Sequence, residues 1–271
     1  MYKSKPGSWI IRPAQKGQDN MKAHGQKNTS QPLVTVICDN YTTRDDLEAS
    51  WGFACLIAQE GKNILFDTGS DGVVLSHNMA RLGIDPASID LMMISHQHWD
   101  HVGGIYAILS VKRDLRICVP RSFSVHFQED MKRYGAAIIE ADGACEIMPE
   151  LFTTGEFDGL IPEQAALLQT PAGTVVITGC AHPGIVKIAQ TAKTVLPDNE
   201  LALVMGGFHL LNDGDGDILN VITEFKAMGV RYAAASHCSG ERARKLFARE
   251  YEDHFISLGA GSIITLKHLK S

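Results

Sequence analysis

From Leu33 onward, short apolar runs alternate with amphipathic stretches, and the two periods separate strands from helices. Leu33–Cys38 reads as a strand, and Phe53–Ala58 with Asn63–Phe66 as a hairpin turning at Glu60-Gly61-Lys62. Val73–Leu82 has helical spacing and is closed by Gly83. Asp90–Ser95 and Leu115–Val119 are further strands, with a helix beginning near Ile105 between them. The stretch 136–178 is strand-rich, and Ala165–Gln169 pairs with Thr174–Thr178 across Pro171-Ala172-Gly173. After it come a helix (Gly184–Val195), a strand (Leu201–Met205) and a helix (Ile218–Met228) closed by Gly229. A strand (Tyr232–Ala235), a helix (Glu241–Glu250) and a last strand (Ser262–Leu266) complete the pattern.

Strand hairpins come before helices in both halves. That order favours an α/β (α+β) sandwich of two mixed sheets, face to face with helices outside, over a doubly wound parallel sheet. Residues 1–31 are polar, rich in Lys, Gln, Asn, Gly and Ser, and without a period. They read as a flexible arm, or as a segment docking on a second copy of the chain, so a homo-oligomer is one expectation. Residues 32–271 then form a single domain, which suits a chain of 271 residues.

Composition narrows the picture. With 45% hydrophobic and 21% charged residues, a packed core is expected. A net charge of −6 argues against a nucleic-acid partner held by a general basic surface. It leaves room for a small anionic substrate held locally. No apolar run is long enough to span a bilayer, and no apolar stretch follows the N-terminal lysines. The expectation is therefore a cytoplasmic protein with no membrane partner. Six cysteines (38, 55, 118, 145, 180 and 238) form no C-x-x-C pair and read mostly as reduced, buried thiols.

The candidate chemistry lies in His96-Gln97-His98-Trp99-Asp100-His101, where four ligand-type residues fall in six positions after an apolar strand. Imidazole and carboxylate suit zinc, iron or manganese. Residues two apart in an extended segment point the same way, so His96 and His98 can bind one cation. A turn through Trp99 can then present Asp100 and His101 to a second. Gly103-Gly104 allow a tight turn into the next helix.

Such a cluster needs remote partners. His182, His209 and His237 each end an apolar strand and are followed by a helix or loop, where sites gather. Cys180 and Cys238 lie within two residues of His182 and His237. Asp67, in Leu65-Phe66-Asp67-Thr68-Gly69, can orient a ligating imidazole from behind. The histidines at 24, 77, 126, 254 and 268 lack that setting and read as ordinary residues. Asp213, Asp215 and Asp217 read as a polar loop.

These motifs resemble the metallo-β-lactamase fold superfamily over roughly 33–266, through His-x-His-x-Asp-His after a strand, the upstream Phe-Asp-Thr-Gly and the downstream histidines. The resemblance implies an αββα sandwich with one or two metal ions at one edge. A narrower resemblance rests on Tyr41-Thr42-Thr43, Ser50-Trp51-Gly52-Phe53, Thr178–Gly184, Gly206-Gly207-Phe208-His209-Leu210 and Ser236-His237-Cys238-Ser239-Gly240. It points to the subgroup named for the archaeal dihydropterin–ribofuranosylaminobenzene phosphate synthase of the methanopterin pathway. Carried over, His96, His98 and His182 would bind the first metal, and Asp100, His101 and His237 the second. The superfamily's bridging Asp is missing, because Cys180 follows Gly179 at that strand end. His182 or Cys180 then takes over that function, or the second site is weaker. His209 has no counterpart and is open to metal or substrate.

The resulting expectation is a hydrolase of a phosphoester or related small anionic substrate, with one or two divalent ions, Zn first and Fe or Mn next. A bound cation lowers the pKa of its water to near 7, so hydroxide forms at neutral pH. Asp100 or His209 would move protons. One alternative is a transferase condensing a dihydropterin pyrophosphate with ribofuranosylaminobenzene phosphate. Another is a redox diiron or purely metal-binding protein, although diiron relatives place Glu where His98 stands.

Overall fold

A computed structural model describes residues 32–269, so the expected arm at 1–31 lies outside the described residues. The first half of the chain supplies β1 (Pro32–Cys38), β2 (Ala54–Gln59), β3 (Lys62–Phe66), β4 (Leu91–Met93), β5 (Arg116–Pro120) and β6 (Ala137–Ala141). The second supplies β7 (Cys145–Met148), β8 (Leu151–Thr153), β9 (Ala166–Thr170), β10 (Gly173–Thr178), β11 (Leu201–Gly207) and β12 (Tyr232–Ser236), and β13 (Ile263–Thr265) follows. Two sheets result, ordered β13-β1-β2-β3-β4-β5-β6 and β12-β11-β10-β9-β8-β7. Both are mixed: β3 to β6 run parallel, as do β10 to β12, and the remaining neighbours are antiparallel.

The helices follow their strands in order: α1 (Gly72–Leu82), α2 (Trp99–Val102), α3 (Ile105–Val111), α4 (Val125–Arg133), α5 (Ile185–Val195), α6 (Asp215–Met228) and α7 (Gly240–Tyr251). The strand period of two sorts the core into layers. On β5, Cys118 joins the cluster between the sheets, whereas Ile117 and Val119 pack under α1, α3 and α4. On β10, Val175 and Ile177 face inward while Val176 packs under α5, α6 and α7. Strands buried on both faces read as unbroken apolar runs. The expected αββα architecture is the one observed.

Local chemistry explains the boundaries. The β2–β3 hairpin turns through Glu60 and Gly61, with φ of 50° and 73°, which suits a two-residue turn with both centres left-handed. Gly83 and Gly229 close α1 and α6 in the left-handed conformation, as the sequence predicts. Three details differ from expectation. The turn through Trp99 is a short helix, α2. Asp215 and Asp217 belong to the first turn of α6, where carboxylates complement the helix dipole, and not to a loop. The helix α4 has no counterpart among the expected elements. Among the described residues, no helix is long and apolar enough to cross a membrane.

Candidate metal centre

The site forms where strands finish. Asp39 and Asn40 follow β1, Asp67 follows β3, and the His96–His101 run follows β4. Cys180 and His182 follow β10, His209 follows β11, and His237 follows β12. Because β9 runs antiparallel to β10, with Ala166 opposite Ile177, the segment entering β9 reaches the same place. That segment carries Glu163.

Four imidazoles are held through Nδ1. Asp67 Oδ2 lies 2.7 Å from His101 Nδ1 and accepts from Ser95 Oγ at 2.7 Å. Ser95 Oγ in turn lies 2.8 Å from His96 Nδ1. Glu163 Oε2 lies 2.8 Å from His182 Nδ1. Asn40 Oδ1 lies 3.0 Å from His237 Nδ1, while Asn40 Nδ2 donates to the His237 carbonyl at 3.2 Å. Each bond fixes a ring through Nδ1 and leaves Nε2 as the atom available to the site, which is the usual arrangement behind metal-ligating histidines.

The freed atoms converge. His96, His98 and His182 form one set, and Asp100, His101, Cys180 and His237 form another. Within each, the candidate ligand atoms lie within 4.8 Å of one another, and Cys180, His182 and His209 form a third overlapping set. Asp100 Oδ2 lies 3.4 Å from His237 Nε2 and 3.7 Å from His101 Nε2. Cys180, which the sequence offered for the bridging position, has its Sγ in two of the sets among the described residues. Asp67 contacts His101 at Nδ1 and is in none of them. His96 Nε2 is buried without a hydrogen-bond partner. Such an orphan costs about 1–3 kcal/mol unless something binds it. Imidazole nitrogens, a carboxylate and a thiol are the donors that divalent zinc or iron takes. The residues therefore fit a divalent metal.

Electrostatics follow from burial and pairing. Burial and the His101 charge depress His96 to about 3, and burial and the His237 charge depress His101 to about 3. Both are neutral, ligand-ready bases near pH 7. Burial pushes Asp67 up to about 7, against the charge of His96 and the Ser95 hydrogen bonds. Burial would raise Glu163 as well, but the hydrogen bond from His182 and the charges of His96 and His182 hold it well below the usual range. For Asp100 too, the His237 hydrogen bond outweighs burial and keeps the carboxyl ionised. Hydrogen bonding to Cys238 and burial push the Cys180 thiol up.

Glu163 was not legible as a site residue. It is fully buried, and its carboxylate accepts from the backbone N–H of Cys180, Ala181 and His182 at 3.0, 2.8 and 2.8 Å. It shapes the turn that presents both Cys180 and His182. Asn40 and Ser95 were missed too. Backbone strain gathers here, as it does at many functional sites: Asp67, Ala181, His209 and His237 all have φ between 48° and 64°. A Cβ at Gly179 would run into Ser95 Oγ, so only glycine lets β10 end against the Asp67–Ser95 pair.

The mouth is partly apolar. Trp51, 43% exposed, stands edge-on to His237 at 5.3 Å between ring centres, and Trp99 is 63% exposed. A cleft of about 260 Å³ opens beside His98, lined also by Gln97, Pro120, Phe123, Leu160 and Pro162. His209 is exposed, with its ring 4.6 Å from that of His182.

Known proteins resemble this chain in sequence and fold. The chain is 29% identical over 247 residues to the 7,8-dihydropterin-6-methyl-4-(β-D-ribofuranosyl)-aminobenzene-5′-phosphate synthase of Methanocaldococcus jannaschii, covering 75% of this chain and 84% of that one. It also resembles the solved structure of a metal-dependent hydrolase of the β-lactamase superfamily, at 28% identity and a TM-score of 0.71, covering 85% of this chain and 97% of the other. The fold is shared with the metallo-β-lactamase fold protein YhfI of Bacillus subtilis, at 18% identity and a TM-score of 0.63, over 85% and 98% of the two chains. Such homologues are enzymes, and this chain is one. Residues 52–187 match the family described as the metallo-beta-lactamase superfamily, and the chain belongs to that superfamily.

Proposed function

We propose that the protein is a metal-dependent hydrolase of phosphoesters or related small anionic substrates. The observation that supports it most directly is that four imidazoles anchored through Nδ1 fall into ligand sets, His96 and His182 with His98, and His101 and His237 with Asp100 and Cys180. In this reading His96, His98 and His182 hold one divalent ion, and Asp100, His101 and His237 the other. Zinc fits the nitrogen-rich donors best, with iron or manganese next. Such ions supply Lewis acidity, lower the pKa of bound water and carry more positive charge than Asp100 cancels, which favours an anionic group.

The chain's own residues do the rest. Asp67, Ser95, Glu163 and Asn40 keep the imidazole planes fixed, so little reorganisation accompanies the reaction. His209, whose ring lies beside that of His182, would pass a proton to a departing group. The cleft beside His98 has no acidic or basic side chain other than that imidazole, which suits an uncharged part of the substrate. The six cysteines are free, which fits a cytoplasmic setting.

The test is metal analysis of the purified protein together with turnover of bis(p-nitrophenyl) phosphate. Bound metal is expected, with turnover falling by roughly a hundredfold or more in His98→Ala. A protein that takes up no divalent metal would sink the reading.

A second reading has its own support. The methanocaldococcal relative is a synthase, and the similarity runs over 84% of its length. Under that reading the same centre grips the pyrophosphate of a dihydropterin while an arylamine-type partner is joined to the pterin. Pyrophosphate released only when both substrates are supplied would favour it over hydrolysis.

A further inference from the structure

We propose that the cleft beside His98 seats a compact apolar group of the substrate, a single ring with a short substituent or an alkyl group of that size. The preferred substrates are then aryl or similarly apolar phosphoesters, not sugar phosphates. This rests on the hydrolase reading above and narrows its substrate class. Pro120, Phe123, Leu160, Ile161 and Pro162 give the cleft its apolar walls. Gln97 and Ser122 are its only polar residues besides His98, and Gln97 Oε1 already accepts from the Ser124 N–H at 2.8 Å. A charged group placed among these walls would lose its water without gaining an ionic partner. An anionic head therefore belongs on the metal side of His98, the residue common to the cleft and the first ligand set.

Size and exposure set the occupant. A cavity of about 150 Å³ accepts a benzene ring. The cleft, at about 260 Å³, has room for such a ring and a short substituent. Leu160 lines it and is nevertheless fully exposed. An apolar group seated against Leu160 removes both surfaces from water, which favours binding.

The walls are joined to each other and to the metal centre. The buried Glu156 carboxylate accepts from the Ser122 N–H at 2.7 Å and lies 3.7 Å from Arg121 Nη2, which ties the β5–α4 turn to the opposite wall. Phe157 and Glu163 exchange backbone hydrogen bonds at 2.8 and 3.4 Å, closing the loop that carries Leu160, Ile161 and Pro162. Glu163, at the foot of that loop, holds His182 Nδ1 and the Cys180–His182 turn. One segment, 157–163, thus sets both the apolar wall and the orientation of a ligating imidazole. A pocket so organised gains affinity because little has to be ordered on binding.

Two phosphonates with the same anionic head and different substituents test this, with calorimetry of the Zn²⁺-loaded protein as the readout. Phenylphosphonate is expected to bind roughly 10–100-fold more tightly than methylphosphonate, the gain from burying a ring. In the double variant Leu160→Ser, Ile161→Ser the preference should fall below about threefold, because the apolar wall is lost while the head still binds. Methylphosphonate affinity and bound Zn²⁺ should stay as in the wild type. Ile263→Ser, on the edge strand β13 and outside the lining, should keep the full preference. Equal affinity for the two phosphonates in the wild type overturns the proposal, as does a preference that survives in the double variant. Methylphosphonate binding that persists unchanged without Zn²⁺, or no binding of either phosphonate, overturns the anion-binding metal centre and the cleft's role with it.

Discussion

Asp67 serves two imidazoles, one directly at His101 and one through Ser95 at His96. Asp67→Asn keeps the shape and removes the charge that holds the tautomers. Its Zn²⁺ affinity should fall by roughly 10–100-fold, measured by chelator competition. An unchanged affinity would remove Asp67 from the metal centre. A second expectation concerns protons. In metal-free protein, His96 and His101 should stay neutral down to about pH 3, followed by ¹⁵N NMR of the rings. Their folded pKa lies below the ordinary value of 6.5. The stability they contribute is thus complete above that value and is lost as pH falls toward 3. Rings titrating near 6.5 would contradict the burial. The His96–His101 run was legible because four ligand-type residues crowd into six positions directly after a buried strand, a density that chance placement of polar residues rarely reaches. Glu163 and Asn40 were not. Nothing in single-residue chemistry distinguishes a Glu entering a strand from a solvated one until the antiparallel partner brings it beside Cys180.

At the level of elements, apolar period and punctuation carried most of the information. The glycines at 83 and 229 end their helices in the conformation that only glycine adopts freely, so those boundaries could be read directly. The helix α4 was harder, with only Gln128 and Met131 buried along its nine residues. So short and weak a stripe separates poorly from a loop, although Ser124 caps it by accepting from Phe127 N–H. The strand-rich middle could not be split into β6 to β8, because three- to five-residue strands hold too few positions for a period to appear. Helix packing outside the second sheet is separable from the chemistry. Phe225 is fully buried against Phe208 and Phe247. Phe225→Ala should cost about 3–5 kcal/mol in denaturant unfolding. Zn²⁺ affinity of the folded variant should match the wild type, and a large loss would mean that α6 supports the site more directly.

For the whole molecule, the two sheets contribute unequal halves of one centre. His96, His98, Asp100 and His101 come from the first sheet, and Cys180, His182 and His237 from the second. A cation that binds only this native arrangement stabilises it by mass action. Chelation should therefore lower the melting temperature, and added Zn²⁺ should restore it in a concentration-dependent way, read by calorimetry. Identical melting with and without chelator would count against the centre. The division also has a temporal consequence. Contacts so distant in the chain carry a large loop-closure entropy and form late in folding. During synthesis, the His96–His101 limb emerges well before His237, which follows the penultimate strand. Until Cys180 and His182 emerge, a nascent chain can offer only three imidazoles and a carboxylate, an incomplete and weak chelator. Complete loading then waits for His237, and premature capture of a metal by the early limb is a route to misassembly that the late-arriving strands must outcompete.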